Sequence, residues 1–340
     1  MGHPECQVLR DSAGLWLEPL RGETVAVIGF GNQGRAHALN LRESGIAVVV
    51  GGRAGSTSRK SASDEGFQQF DAADAASRAA LVAICVPDHV AGDVWATVAP
   101  AMRADAVAGF VCGAPLRFGL VSAPAERGIV MVAPKGPGAT LRMRYAMGQG
   151  IPALLAVHAA GAQPERTRAL AFAWAAGIGC GRAGVIESTA AVEAETDLFG
   201  EQVVLCGGMA HLMQAAYETL VAAGYPPEIA YIECIHELKQ VADLVYEHGI
   251  AGMRDRISPT AAFGIDESGP VVVDDRTRAA MHGLLARIRD GSFFEALLAD
   301  QRAGGKRLVG GRAAAAAMPL EAAGRTVRDM MPWLTQENRR

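Results

Sequence analysis

Charge of one sign, paired cysteines, a membrane-length apolar run and a recognisable leader are all missing from this chain. A formal net charge of -4 over 340 residues gives neither nucleic acid nor an anionic membrane a reason to bind. The six cysteines are scattered, Cys85, Cys180, Cys206 and Cys234 among them, with no CxxC pair. They read as reduced core residues of a cytoplasmic protein, not as a disulfide frame. The longest apolar run, Ala169 to Gly181, is broken by glycine and too short to span a bilayer. The opening MGHPECQVLRDSAG lacks the basic, apolar and small-residue order of a signal peptide, and no internal repeat stands out. What remains is the composition of a globular enzyme, with 50% hydrophobic and 20% charged residues. The length is enough for two domains, each with its own core.

Two pairs of carboxylates dominate the second half. Asp197 and Glu201 stand four apart in EAETDLFGEQVVLCGG, and Glu233 and Glu237 stand four apart in PEIAYIECIHELKQVADL. Both stretches read as helices, and the spacing puts each pair on one helix face. Like charges so placed destabilise a helix, and far more when buried. No Lys or Arg lies inside either pair to relieve this. A hard cation would, and oxygen ligands without Cys or His favour Mg²⁺ or Mn²⁺ over Zn²⁺. Two solvated acidic faces would look the same at this point.

The first half carries a local signal of another kind. Val25 to Ile28 is a short apolar strand, followed by Gly29-Phe30-Gly31-Asn32-Gln33-Gly34, a helical pattern from Arg35 to Ser44 and a second buried strand from Ile46 to Val50. GxGxxG between strand and helix is the dinucleotide fingerprint. Gly29 permits the tight turn, Gly31 admits the pyrophosphate, and Gly34 brings helix against strand, with helix amides as donors. At the end of the second strand an NAD site would carry an acid. Here Gly51-Gly52-Arg53-Ala-Gly-Ser56-Thr-Ser58 offers none before Asp64, and Arg53 with two hydroxyls suits a 2′-phosphate. The expected cofactor is NADPH.

Strand and helix signals alternate onward as in a doubly wound sheet. Strands are expected at 81–86, 106–111, 129–133 and 152–158, and helices at 88–102 and 164–176. After Ile186 only helical patterns remain, broken at Gly224 to Pro227 and near Ser258-Pro259, with Asp300 to Gly311 as a loop. The expected division is residues 1–183 as an α/β Rossmann-type nucleotide-binding domain and 184–340 as an all-helical domain. Ala133-Pro-Lys135-Gly-Pro-Gly138 sets a lysine in a stiff turn at the sheet edge, where it would point into the ligand crevice.

Taken together, these pieces resemble ketol-acid reductoisomerase of the short form over nearly the whole length. The likeness lies in VAVIGFGNQGRAHALNLRESG, GRAGSTS, MVAPKGPG, IPALLAVH, ETDLFGEQVVLCGG, AGYPPEIAYIECIHELK, GMRDRIS and MMPWL. It implies a knotted all-α second domain that binds two Mg²⁺ ions and dimerises. Asp197 would bridge the ions, Glu201 would complete one ligand set, and Glu233 and Glu237 would come across the dimer, Glu237 also serving catalysis. Ser258 matches the serine for the substrate carboxylate, and Lys135 the lysine beside the metals. Phe30, Gly31, Asn32, Gln33, Arg53, Ser56, Ser58 and Gly138 match cofactor contacts, with Asp88 close to the nicotinamide. The implied reaction takes a 2-hydroxy-3-keto acid such as 2-acetolactate through an alkyl shift and a hydride reduction to a 2,3-dihydroxy acid. The implied assembly is a homodimer with shared sites, or a higher oligomer.

The sequence departs from the family at the expected active-site mouth. Cys112 stands at the place of a histidine, Ala114-Pro115 replace Phe-Asn or Phe-Ser, and Ala139 replaces a second histidine. Arg35 and His89 replace the usual His and Glu, and Arg117 and Arg144 are introduced. Two imidazoles are thereby lost. Cys112 reads as a small filler, not a nucleophile, because no histidine pairs with it. These changes point to a working enzyme with an altered substrate, one with an added anionic group if the arginines face the pocket. An isomerase-only or reductase-only paralogue, or a silent dimerising subunit, are the competing readings.

Overall fold

The computed structural model describes residues 6–337, so the first five residues of the opening segment lie outside it. The chain divides into two units, one ending at Thr196 and the other beginning at Asp197.

In chain order, the first unit contains β1 (Val8–Leu9), β2 (Thr24–Ile28), α1 (Asn32–Glu43), β3 (Ala47–Gly51), α2 (Thr57–Asp64), β4 (Gln68–Phe70) and α3 (Ala72–Ala76). It continues with β5 (Leu81–Ile84), α4 (Asp88–Val98), β6 (Val107–Phe110), α5 (Ala114–Arg117), β7 (Ile129–Pro134) and α6 (Gly138–Ala146). Then come β8 (Ala153–Ala159), α7 (Pro164–Gly177), α8 (Cys180–Ala183), β9 (Val185–Glu187) and α9 (Ala190–Gly200), whose end passes into the second unit. The nine strands form one sheet in the order β1-β9-β8-β7-β6-β5-β2-β3-β4. Pairing is parallel from β4 through β7, with β7–β8 and β1–β9 antiparallel. The continuous apolar runs of β5 and β7 follow from this, since both are buried along their whole length with core on each sheet face. From β2 the chain winds one way to β3 and β4 and, after a crossover, the other way to β5. The switch point therefore lies between the carboxyl ends of β2 and β5, where such sheets bind ligands.

The compact first unit runs on to Thr196, past the boundary expected after residue 183. The reason is β9, which is three residues long and pairs with β8 and β1, keeping this stretch in the first unit. Neither β9 nor the short β1 and β4 was anticipated.

The second unit is helical: α10 (Gly207–Ala222), α11 (Pro227–Tyr231), α12 (Leu238–Arg254), α13 (Pro259–Val272), α14 (Asp275–Arg289), α15 (Ser292–Arg302), α16 (Lys306–Ala316), α17 (Pro319–Asp329) and α18 (Pro332–Glu337). The expected breaks at Gly224 to Pro227 and at Ser258 are present. The expected loop from Asp300 to Gly311 is not: the chain breaks only between Arg302 and Lys306, because α16 carries Gly310 and Gly311 within it. Core is sparse here, centred on Tyr217, Ala230, Tyr231, Ala323 and Val327. Neither α13 nor α16 has a buried residue, and Tyr246, Ile250, Phe263, Val271 and Val309 are exposed. No helix among the described residues is long and apolar enough to cross a membrane.

Candidate active site

Three neighbouring parallel strands end in polar groups at one edge of the sheet. Asp88 opens α4 after β5, Cys112 follows β6, and Lys135 follows β7. The Cys112 thiol donates to Asp88 Oδ1 at 2.8 Å. Lys135 Nζ donates to Glu193 Oε1 at 2.6 Å, and the backbone N–H of Gly113 donates to Glu193 Oε2 at 2.6 Å. Glu193 is almost wholly buried, so its charge rests on these charge-assisted bonds. Its access to the Gly113 amide needs the glycine, because a Cβ there would stand 2.2 Å from the Ala190 carbonyl oxygen. The Cys112 thiol is pushed well above its ordinary pKa by burial first, then by Asp88 and Glu193. In this arrangement the thiol serves as the donor to Asp88.

Glu193 went unnoticed in the sequence although a signal was there. Glu193, Asp197 and Glu201 recur at four-residue intervals along EAETDLFGE, so the carboxylate series begins one turn earlier than the pair that drew attention.

The glycine turn between β2 and α1 has the form its spacing requires. Gly29 has φ 92°, and a Cβ on Gly34 would meet the Gly29 carbonyl oxygen at 2.0 Å, whereas beside Gly31 the space is open. Phe30, Gly31 and Asn32 line a groove of about 470 Å³ together with Arg35, Glu65, Gly138, Ala139 and Arg142. The open space over Gly31 and the N-terminus of the twelve-residue α1 fit a dinucleotide pyrophosphate. The Phe30 ring itself is buried edge-on against Phe67, which leaves its backbone for any cofactor contact. Gln33 turns its amide nitrogen to the Gly136 carbonyl at 3.0 Å. Past β3, the Ser56 hydroxyl caps α2 by accepting from Arg59 N–H, and the Arg59 guanidinium pairs with Asp71. Arg53 is exposed next to this helix start and makes no ion pair among the described residues, while Ser58 is half-buried in its first turn. Arg53, the hydroxyls and the α2 N-terminus fit a 2′-phosphate.

Several sequence departures lie elsewhere than expected. Ala139 is exposed in the groove over α1 with Arg35, which pairs with Glu65. The second lost imidazole therefore belongs to that groove. Arg117 pairs with Glu195 at 2.9 Å and stacks on Phe118, and Arg144 donates to Gln149. Arg117 is thus engaged by a carboxylate of its own unit, and Arg144 by a neutral amide. Ala114 is buried at the start of α5. Of the cysteines, only Cys85 and Cys180 are buried, and Cys206 is exposed, contrary to the reading of all six as core.

In the second unit both carboxylate pairs meet π turns, Glu201–Leu205 and Ile232–His236, with i→i+5 bonds from Cys206 N–H to Glu201 and from Glu237 N–H to Ile232. Glu233 and Glu237 thus stand on a bulged turn and not on the regular α-helix face expected, the change coming from one residue inserted into the ladder. Such bulges mark functional positions in helices. The first has a local cause, since a Cβ on Gly208 would fall 1.8 Å from the Val203 carbonyl oxygen. Glu201, Glu233 and Glu237 are exposed and Asp197 half-buried. Among the described residues of one chain, no three His, Cys, Asp or Glu side chains gather into a metal-holding group. Four carboxylates without His or Cys are nonetheless the donor chemistry that suits a hard divalent cation. Ser258 is exposed and caps α13, its hydroxyl accepting from Ala261 N–H at 3.1 Å.

Comparison with known proteins agrees with these elements. Residues 19–184 match the family model described as acetohydroxy acid isomeroreductase, NADPH-binding domain, and residues 191–333 that described as ketol-acid reductoisomerase, C-terminal domain. Among solved structures, an NADH-preferring ketol-acid reductoisomerase from an uncultured archaeon is similar at 34% identity and TM-score 0.91, covering 96% of this chain and 99% of that one. A semialdehyde dehydrogenase NAD-binding protein from Cupriavidus necator shares 20% identity at TM-score 0.60, covering 79% and 99%. A pyrroline-5-carboxylate reductase from Coxiella burnetii shares 17% identity at TM-score 0.52, covering 79% and 98%. The last two likenesses are of fold alone.

Proposed function

The chain belongs to the ketol-acid reductoisomerase family, and from that premise we propose that it catalyses both steps of the family's reaction. A 2-hydroxy-2-alkyl-3-oxo acid such as 2-acetolactate undergoes alkyl migration from C2 to C3, and the new 2-keto group is then reduced to give a 2,3-dihydroxy acid. The observation that carries this reading is Lys135, held by Glu193 at a strand end of the same sheet edge as the nicotinamide-type turn.

Two Mg²⁺ ions, held by Asp197, Glu201, Glu233 and Glu237, would acidify the substrate hydroxyl and polarise its ketone, and the reduced nicotinamide would supply the hydride. The protein's own residues bind and orient. The Lys135 ammonium, fixed by Glu193, favours negative charge developing on a substrate oxygen and can return a proton to it. Ser258 and the amides at the start of α13 suit the substrate carboxylate. The protonated Cys112 holds the Asp88 carboxylate by donating to it, with no covalent role.

NADPH is the preferred nucleotide on this reading, because Arg53 and the α2 start supply cationic and hydroxyl partners and β3 ends without an acid. The archaeal relative is NADH-preferring by description, which makes the ratio of kcat/KM for the two nucleotides a direct test. A homodimer supplies what the second unit lacks: cover for α13 and α16 and for exposed Phe263, Val271 and Val309.

The deciding experiment incubates the protein with NADPH, Mg²⁺ and 2-acetolactate, then with 3-hydroxy-3-methyl-2-oxobutanoate. Oxidation of NADPH with both supports the proposal. Oxidation with the second alone reduces the protein to a reductase, and turnover of neither substrate nor of homologues with longer alkyl groups overturns it.

A further inference from the structure

We propose that Gln33 reports occupancy of the cofactor turn to Lys135. The inference rests on the nicotinamide reading above and adds to it a positioning residue. The glycine turn before α1 and the Lys135-Gly-Pro-Gly138 turn before α6 are far apart in sequence and packed together in space. Gln33 Nε2 donates to the carbonyl of Gly136, the residue after Lys135, at 3.0 Å. Gly138 closes the contact from the other side, since a Cβ there would stand 2.1 Å from the Asn32 carbonyl oxygen and 3.0 Å from Gln33 N. The two turns cannot shift independently.

The other end of the Gln33 amide is the informative one. Its Oε1 is buried and has no hydrogen-bond partner among the described residues. Reversing the amide would aim that oxygen at the Gly136 carbonyl, so the orientation is set by the bond already made. A buried acceptor without a donor carries a standing cost that a ligand can remove. The donor class is fixed by the acceptor: a hydroxyl or an amide N–H of a dinucleotide seated on the N-terminus of α1. With the turn empty, Gln33 is held at one end. With it occupied, the side chain is held at both, and the Gly136 carbonyl with it. Lys135 is braced through its backbone N–H to the Pro152 carbonyl and through its ammonium to Glu193. Tightening Gly136 therefore steadies the lysine against Glu193 only once cofactor is present, which commits the lysine to the loaded enzyme.

The test is hydrogen exchange of the native full-length protein, followed over peptides containing Lys135, Gly136 and Gly138, with and without NADPH, alongside direct measurement of NADPH affinity by nicotinamide fluorescence. In the native protein, saturating NADPH slows exchange at these amides by about fivefold or more, the equivalent of one added hydrogen bond. Gln33→Met, similar in volume, and Gln33→Glu, which opposes a carboxylate oxygen to the Gly136 carbonyl, bind NADPH more weakly and abolish that slowing even at NADPH concentrations that saturate them. They lower kcat more than they raise the substrate KM. Native protein that binds NADPH with no change at the lysine turn overturns the inference alone. So does a variant that retains the full slowing. Native protein that binds neither NADPH nor NADH overturns the cofactor reading and the inference with it.

Discussion

Replacing Glu193 tests the site at its most buried point. Glu193 receives two bonds of 2.6 Å, from the Lys135 ammonium and the Gly113 amide. Removing one partner of a wholly buried ion pair costs about 3–5 kcal/mol. The Lys135 side chain retains 31% exposure, and solvent screening brings the expected loss for Glu193→Gln to about 2 kcal/mol. The glutamine still offers an oxygen to Gly113 N–H. Glu193→Ala removes it and strands that buried donor, adding about 1–3 kcal/mol. The two variants should therefore differ by roughly one unsatisfied amide, with alanine near 4 kcal/mol below the native protein. Urea unfolding at one fixed protein concentration measures this, with unchanged m-values as the control for the denatured state. Turnover of 2-acetolactate should fall about 10²-fold in Glu193→Gln, since the lysine loses its fixed position. Equal stability of the two variants would refute the role assigned to the Gly113 amide. A glutamine variant as active as the native protein would refute the role assigned to the ion pair.

Other consequences are independent of that pair. His37 is buried with its pKa lowered to about 3 by desolvation. Its unfolded form takes up a proton below about 6.5, so stability falls by about 1.4 kcal/mol per pH unit from there toward pH 3. Unfolding free energies from urea at pH 7.5 and pH 5 should differ by about 2 kcal/mol from this group, and His37→Gln, which keeps an acceptor for the Trp174 indole N–H, should flatten the slope. Gly208→Ala forces a Cβ into the Val203 carbonyl and should cost about 1–3 kcal/mol while weakening Mg²⁺ binding through loss of the π turn. An unaltered Mg²⁺ affinity would detach the bulge from the metal site. The Cys112 thiol, held protonated by its surroundings, should resist an aromatic disulfide reagent at pH 8 while exposed Cys6 reacts. Cys112→His should raise 2-acetolactate turnover, and an unchanged rate would show that the position does not limit the chemistry.

How far the sequence could be read depended on the range of the forces involved. The glycine turn was legible because Gly29 and Gly34 answer to backbone demands within six residues. The helical second half was legible from its periodicity and its breaks at Gly224 to Pro227 and Ser258, though not the helix through Gly310 and Gly311. β9 was not, because three residues have no period and its pairing with β1 is settled across the whole first unit. Glu193 was legible only as spacing, since a solvated acid and a buried one that meets Lys135 share the same local sequence. Arg117 and Arg144 show the opposite failure: charges that looked available for a substrate are engaged by Glu195 and Gln149. The π turns came without warning, although the Gly207-Gly208 pair, once the turn is seen, explains one of them.

Calorimetric titration with Mg²⁺ bears most directly on the claim that four carboxylates of the helical unit form a two-metal site. The native protein should take up two ions per chain, with Asp197→Asn and Glu237→Gln each reducing that uptake. Absence of divalent-cation binding, or binding that survives both substitutions unchanged, would contradict the account.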